Sequence, residues 1–104
     1  MDLSKMLKQA QKMQKDMAVT QASLAGRTVE ATAGGGKVTV TATAGGDITG
    51  IRIDPSVVDP ADVEMLEDLI LTGIRGALAE GRKVAESEMK KVTAGMALPP
   101  GMGF

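Results

Sequence analysis

The sequence has no cysteine, histidine, tryptophan or tyrosine, and its single aromatic residue is Phe104 at the end of the chain. The lack of cysteine excludes disulfides, thiolate nucleophiles and cysteine-ligated zinc or iron–sulfur sites. The lack of histidine removes the commonest general base and metal ligand. Stacking of unpaired nucleic-acid bases is not expected either, since the body of the chain has no aromatic side chain. These absences argue against an enzyme, a bound cofactor or a metal site.

Long apolar segments are also missing from the sequence. No apolar run reaches the roughly 18 residues that a membrane-spanning helix needs, and the N-terminus lacks the continuous apolar stretch of a signal peptide. We therefore expect a soluble, cytoplasmic protein with no membrane partner. The length of 104 residues predicts a single domain that covers residues 1–104.

Charge is distributed unevenly along the chain, although the net charge is only −1. Residues 1–26 and residues 81–104 each carry a net charge of +2, whereas residues 54–80 carry −6. Both ends of the chain are therefore basic and the middle is acidic. Because local patches govern encounters with charged partners, an anionic partner is compatible with this sequence.

Residues 1–26 are predicted to form one long helix that begins at Leu3. Apolar or small residues recur there at alternating steps of three and four positions: Leu3, Met6, Ala10, Met13, Met17, Thr20 and Leu24. This spacing is that of a heptad seam, and no glycine or proline interrupts it before Gly26. Such a helix would be roughly 35 Å long and would need another surface on which to bury its seam.

Residues 27–53 have the period-two alternation of an antiparallel β-meander. The apolar residues of the middle strand fall on one face, and its threonines fall on the other. Glycines at 34–36 and 45–46 supply the positive-φ positions that tight hairpins favour. Gly50 is a candidate for a β-bulge in the third strand.

Residues 59–94 are predicted to be a second long helical segment, with Asp59 as its N-cap and Pro60 at its first position. Small residues recur on it at steps of four and form a smooth stripe: Gly73, Ala77, Gly81 and Ala85. Glycine in a helix costs about 1 kcal/mol relative to alanine. The stripe is better explained by close packing against another backbone than by a hinge.

The order of these elements predicts an α+β domain of the form α-β-β-β-α, in which two long terminal helices flank an antiparallel three-stranded meander. Residues 95–104 follow the second helix, contain Pro99-Pro100 and are predicted to be a flexible tail. One small sheet cannot cover two long helices, and it also has exposed edges. We therefore expect a homodimer in which sheets join or face each other and the helical seams pair.

A basic ridge on the first helix is the strongest candidate for a functional site. Its members span an arc of about 80° opposite the apolar seam: Lys5, Lys8, Lys12 and Lys15. Such a row suits successive phosphates of a nucleic acid. Without Arg, Asn or Gln on the same stripe, it would hold the backbone and read few bases. An ordinary solvated helix face also accounts for these lysines.

A weaker basic patch on the second helix consists of Arg82, Lys83, Lys90 and Lys91. Lys83 and Lys90 fall within about 20° of each other around the helix axis and could extend the footprint of the ridge. The other interpretation is a set of surface ion pairs, Arg82–Glu86 and Glu86–Lys90, at i,i+4 spacing.

Two further patterns are weaker candidates for sites. The acidic residues between 54 and 68 could form a carboxylate or magnesium site, but helix capping and the helix dipole account for them better. The stretch AGGGKV lacks the first glycine and the Ser/Thr of a phosphate-binding loop. It also joins two predicted strands, whereas that loop joins a strand to a helix.

Four stretches of sequence together carry a resemblance to a known family. They are the opening MLKQAQKMQKDM, the central VEATAGGGKVTVTATAGGDITGIRID, the later DVEMLEDLI and the closing GMALPPGMGF. In order and spacing they resemble the YbaB/EbfC family of bacterial nucleoid-associated proteins over nearly the whole chain. The resemblance implies a small α/β homodimer shaped like tweezers, with sheets at the interface and helices projecting as arms. It further implies binding to double-stranded DNA, nucleoid organisation and gene regulation.

The resemblance also assigns the residues that face DNA, because the terminal helices do so in that family. By motif these are Lys5, Lys8, Lys12 and Lys15, and less directly Lys83 and Lys90. The expected partners are double-stranded DNA and a second copy of the chain, at the nucleoid in the cytoplasm. The alternative is a dimeric adaptor for DNA replication or recombination proteins that binds DNA weakly or not at all.

Overall fold

A computed structural model describes residues 2–94, and its elements follow the predicted α-β-β-β-α order. They are α1 (Leu3–Leu24), β1 (Thr28–Ala33), β2 (Val38–Thr43), β3 (Ile48–Ile53), a short 3₁₀ helix (Pro55–Val57) and α2 (Val63–Ala94). The predicted α+β fold class is confirmed. Residues 95–104, predicted as a flexible tail, lie outside the described residues. Within residues 2–94, no helix is both long and apolar enough to span a bilayer.

The three strands form one antiparallel sheet in the order β1-β2-β3. The β1–β2 register places Ala31 opposite Val40, so that small and branched apolar side chains share one face. Glycines at 34–36 have positive φ in the first turn, and Gly46 does in the second. The β2–β3 register shifts next to the position opposite Gly50, so the β-bulge lies where the sequence predicts it.

The start of α2 differs from the prediction: the helix begins at Val63 and not near Asp59. The Asp59 carboxylate accepts a hydrogen bond from the Ala61 N–H at 2.9 Å, and the Asp59 carbonyl accepts one from the Asp62 N–H at 2.9 Å. Residues 59–62 are thereby held in a turn. The Asp62 carboxylate then accepts a hydrogen bond from the Met65 N–H at 3.2 Å and caps the helix. Two aspartates three residues apart carry the same capping signal, and the second one is used.

The hydrophobic core lies between α2 and one face of the sheet. Val38, Val40 and Ala42 of β2 are fully buried, as is Ala77 of α2. β2 is the central strand and is covered by α2, so its inward side chains lose all contact with water. Burial of this kind, at roughly 25 cal/mol per Å² of apolar surface, is the main stabilising contribution to the fold.

The stripe of small residues on α2 brings the helix into direct contact with the strands. A Cβ added at Gly73 would lie 2.8 Å from Cγ2 of Val40, and one added at Gly81 would lie 2.8 Å from the carbonyl oxygen of Thr43. Real side chains do not approach this closely, so a larger residue at either position would force its neighbour to shift. The predicted close packing is confirmed, and it accounts for the presence of helix-weakening glycines here.

α2 covers the sheet unevenly: it lies over β1 and β2 and leaves most of β3 uncovered. Ile48 and Ile51 are paired opposite core positions of β2, yet they are 38% and 46% exposed. Val63, at the start of α2, is 54% exposed. β3 is also an edge strand of the sheet. A single copy of the chain therefore presents an apolar face beside an open sheet edge.

α1 packs mainly against α2. The two helices are antiparallel, because Arg27, just after α1, pairs with Glu88 while Lys12 lines the same groove as Val92. The heptad seam of α1 is half-buried or buried at its positions from Met13 to Leu24, whereas its positions from Leu3 to Ala10 are exposed. α1 thus projects beyond the end of α2 as an arm.

Candidate nucleic-acid interface

The ridge predicted from the sequence comprises Lys5, Lys8, Lys12 and Lys15, and all four residues lie on α1 and are exposed. The Asp2 carboxylate accepts a hydrogen bond from the Ser4 N–H at 3.0 Å, which caps the N-terminus of α1 next to Lys5. Among residues 2–94, the ion pairs involve none of the ridge lysines. Within residues 2–94, no ion pair therefore offsets the positive charge of the ridge.

A groove between α1 and α2 brings part of the ridge next to the second helix. Its volume is about 420 Å³, and it is lined by Lys12, Lys15, Asp16, Val19, Thr20, Glu88, Lys91 and Val92. Two ridge lysines thus share one concave surface with Lys91 of α2. Because its two acidic residues lie among three lysines, the groove has a net positive charge.

Lys91 belongs to the weaker basic patch predicted on the second helix, but the sequence did not assign it to the residues that face DNA. The pattern favours its neighbour Lys90 instead, since Lys90 shares a helix side with Lys83. The structure leaves Lys90 exposed and outside the groove that Lys12 and Lys15 line. Only the way α1 lies on α2 brings Lys91 next to the ridge, and no signal within the α2 sequence encodes that placement.

Glu88 connects the base of α1 to α2 inside this region. Its Oε1 accepts hydrogen bonds from the Arg27 Nη1 and from the Lys91 Nζ, each at 3.2 Å. The hydrogen bond from Lys91, followed by that from Arg27, holds the pKa of the Glu88 carboxyl below its ordinary value. One carboxylate therefore offsets part of two positive charges and ties the α1–β1 junction to α2.

The α2 patch differs from the sequence interpretation in its ion pairing. Lys83 pairs with Glu80 at 3.2 Å, and Lys91 pairs with Glu88, so both pairs have i,i+3 spacing. The predicted pairs of Glu86 are not among the ion pairs of residues 2–94. The cations that pair are Lys83 and Lys91, whereas Arg82 and Lys90 are in none of the ion pairs of residues 2–94. Lys83 remains 72% exposed and lies beside the Arg27–Glu88 pair in a second groove of about 280 Å³.

The acidic region between residues 54 and 68 lies at the other end of α2, and several of its carboxylates satisfy backbone groups. The Asp54 carboxylate accepts a hydrogen bond from the Ser56 N–H at 2.8 Å, which lowers the pKa of that carboxyl, and Lys37 lies 3.6 Å away. Asp59 and Asp62 act in the turn and the cap described above. Within residues 2–94, no group of three or more acidic side chains is placed to hold a metal ion.

The two ends of the molecule therefore carry opposite charge. The acidic segment precedes and begins α2, while four of the five basic residues of α2 lie between Arg82 and Lys91, roughly 30 Å further along the helix. The ridge of α1 lies beside this basic end. A polyanion would be attracted to the helical arm and repelled from the opposite end.

The chemical capacity of this surface is that of an electrostatic contact. Lysine nitrogens are mobile point charges on flexible stems, and they bind phosphates without the fixed fork of arginine. The row from Lys5 to Lys15 extends about 15 Å along α1, comparable with several phosphates of a duplex strand. The described residues contain no aromatic side chain on which a base could stack. The arrangement is therefore suited to the outside of a double helix.

Known proteins resemble this chain over nearly its whole length. A nucleoid-associated protein from Akkermansia muciniphila is 50% identical over 104 residues, which cover 100% of each chain. One from Ruminiclostridium cellulolyticum is 48% identical over 101 residues, which cover 97% of this chain and 88% of the relative. The crystal structure of an uncharacterized protein from Helicobacter pylori has the same fold: the TM-score is 0.67 at 24% identity, with 92% of this chain and 97% of that chain covered.

The sequence profile of the YbaB/EbfC DNA-binding family matches residues 1–96 of the chain. The matched range includes the whole of α1, the sheet and α2, and therefore both the ridge and the groove. The full-length similarity to nucleoid-associated proteins agrees with this match. The chain belongs to the YbaB/EbfC DNA-binding family.

Proposed function

We propose that the protein is a homodimeric nucleoid-associated protein that binds double-stranded DNA mainly through contacts to phosphates. The observation that carries this proposal is the row of exposed lysines on α1, none of which forms an ion pair within residues 2–94. Lys12 and Lys15 share their groove with Lys91, so phosphates could be held from both helices. Lys83 and Lys90 extend the positive surface along α2.

Phosphate contacts give this binding a defined salt dependence. Each lysine that neutralises a phosphate releases condensed counterions, so log affinity falls with log salt concentration at a slope of about −0.9 per contact. Because lysines on this ridge contact the backbone and not base edges, affinity varies little between sequences. The acidic end of α2 points away from the duplex, which fixes the orientation of approach.

The homodimer is supported by the apolar face that one copy leaves open. Ile48 and Ile51 are 38% and 46% exposed, and both belong to β3, an edge strand of the sheet. A second copy that joins this face would remove apolar surface from water and pair or cover the strand edge. Each dimer then presents two arms. Sedimentation equilibrium tests this step: a 10.7 kDa species at micromolar concentration would contradict it.

The decisive experiment is a salt-titrated gel shift on several unrelated duplexes with two charge-matched variants. The ridge variant replaces Lys5, Lys8 and Lys12 with alanine. The control replaces Lys37, Arg52 and Arg75 with alanine, so it also loses three positive charges per chain. If the ridge holds phosphates, the ridge variant loses affinity and salt slope on every duplex, and the control loses much less. Equal losses of DNA affinity in the two variants would mean that net charge alone governs binding. Circular dichroism checks that both variants are folded.

The adaptor alternative is decided by the same experiment. If the wild-type protein shows no salt-dependent binding to any duplex, the helical arms and apolar surfaces serve protein partners of DNA replication or recombination. If binding is present and depends on the ridge, the protein acts on DNA itself. Its place is then at the nucleoid in the cytoplasm, in DNA organisation and gene regulation. Microscopy of a fluorescent fusion tests this, since the ridge variant should lose its overlap with the DNA.

A further inference from the structure

The first half of α1 presents an apolar stripe that no other described residue covers. Leu3, Met6 and Leu7 are 72%, 48% and 62% exposed, whereas the seam is half-buried from Met13 onward. Together with Ala10, these three residues are called the arm stripe. Most helical stability in proteins comes from packing of an apolar face, so a surface that covers the stripe would stabilise this part of α1.

α2 ends beside the place where the arm stripe begins. Lys12 of α1 and Val92 of α2 line the same groove, and Ala94 is the last described residue of α2. Because the helices are antiparallel, the direction of α2 beyond Ala94 leads along α1 toward its N-terminus. Pro99-Pro100 prevents the helix from continuing along the whole stripe. Ala94 therefore lies near one end of the uncovered surface.

We propose that residues 95–104 bind along the arm stripe of the same chain. Ten residues in extended form reach roughly 30 Å, whereas the stripe is about 10 Å long from Leu3 to Ala10. The segment contains large apolar residues at Met96, Leu98, Met102 and Phe104, and it contains no Asp, Glu, Lys or Arg. Methionine adapts its shape to irregular apolar surfaces, which suits a stripe made of Leu, Met and Ala.

The covalent connection favours this segment over a second copy of the chain. A short tether holds this segment at an effective concentration in the millimolar range, whereas the proposed homodimer joins the second copy at the apolar face of β3 and not at the arm stripe. The ridge lysines lie on the opposite side of α1 from the stripe, so bound residues 95–104 leave the ridge open. They also support the part of α1 that carries Lys5 and Lys8.

Disulfide trapping in the full-length chain tests the proposal, because the natural sequence has no cysteine. Leu98→Cys is combined with Met6→Cys on the stripe or, as a control, with Ser4→Cys, about 160° away around the helix. Under mild oxidation, the Met6 pair should form an intrachain disulfide about tenfold faster than the control. Equal rates would overturn the proposal, and so would disulfide-linked dimers from the Met6 pair, which would assign the stripe to a second copy.

Amide hydrogen exchange in the same full-length protein gives an independent measurement. The double substitution Met96→Ser and Leu98→Ser should speed exchange in residues 3–12 about tenfold, because two large apolar side chains lose their burial. Ala97→Ser is the matched control and should leave exchange unchanged. Unchanged exchange in the double variant would refute the proposal. Neither measurement involves DNA, so the outcome is separate from that of the DNA-binding experiment.

Discussion

The Gly81→Ala substitution is expected to destabilise the fold, although alanine is the better helix former. The added Cβ would lie 2.8 Å from the carbonyl oxygen of Thr43 and 3.3 Å from the Cα of Ala44. That carbonyl accepts a hydrogen bond from the Gly46 N–H at 3.1 Å, and the Thr43 N–H donates to the Asp47 carbonyl at 2.8 Å. The neighbour is therefore backbone held in the β2–β3 turn and cannot rotate away as a side chain could.

Two opposing effects set the size of the change. Replacing glycine with alanine inside a helix stabilises it by about 1 kcal/mol. Overpacking a well-filled core costs about 1–3 kcal/mol, and a clash with fixed backbone belongs in the upper part of that range. To relieve the clash, α2 must shift off the sheet at the point where Ala77 is fully buried. The free energy of unfolding should therefore fall by about 1–2 kcal/mol.

Urea unfolding followed by circular dichroism, at one fixed protein concentration, measures this difference. Thr72→Ala is the matched control, because Thr72 is exposed on the same helix and the change adds helix propensity without a clash. The control should be as stable as the wild type or slightly more stable. If Gly81→Ala instead unfolds at a higher urea concentration than the wild type, the close approach of α2 to β2 is wrong.

The remaining predictions concern the ridge, the apolar face at β3 and the pH dependence of stability in acid. Lys8→Ala should reduce the slope of log affinity against log salt by about 2 per dimer if both arms bind, on every duplex tested; a loss confined to one sequence would indicate base readout. Ile51→Lys should shift sedimentation toward monomer, whereas Thr49→Lys should not, since only Ile51 belongs to the apolar face; a dimeric Ile51→Lys variant would exclude this face as the interface. In the folded chain the pKa of the Glu88 carboxyl is lowered from its ordinary value of 4.5. The contacts of the ionised Glu88 therefore stabilise the fold fully above pH 4.5, and this stabilisation is lost as the pH falls through the lowered pKa. Glu88→Gln should thus unfold with a weaker pH dependence in acid and the same pH dependence near neutrality; an unchanged acid limb would show that the contacts of Glu88 contribute nothing.

The order of elements and the position of the ridge could be predicted from the sequence because both depend on local periodicity. A seam at steps of three and four gives a helix, alternation at two gives strands, and glycine clusters give the turns between them. The lysines fall on the side of α1 opposite the seam whatever α1 packs against. The stripe that contains Gly73 and Gly81 also predicts a close approach, since glycines weaken a helix and their recurrence on one face favours tight contact with a neighbouring backbone.

Tertiary structure alone decided which of several equivalent local signals is used. Asp59 and Asp62 are both good caps, and the turn at residues 59–62 selects the second. Glu88 pairs with Arg27, 61 residues away in the sequence, because the antiparallel packing of the two helices places the end of α1 beside that point of α2. The same packing brings Lys91, and not Lys90, into the groove with the ridge. A local pattern determines which face of a helix is apolar or basic, but the distance between two faces depends on how the whole chain packs.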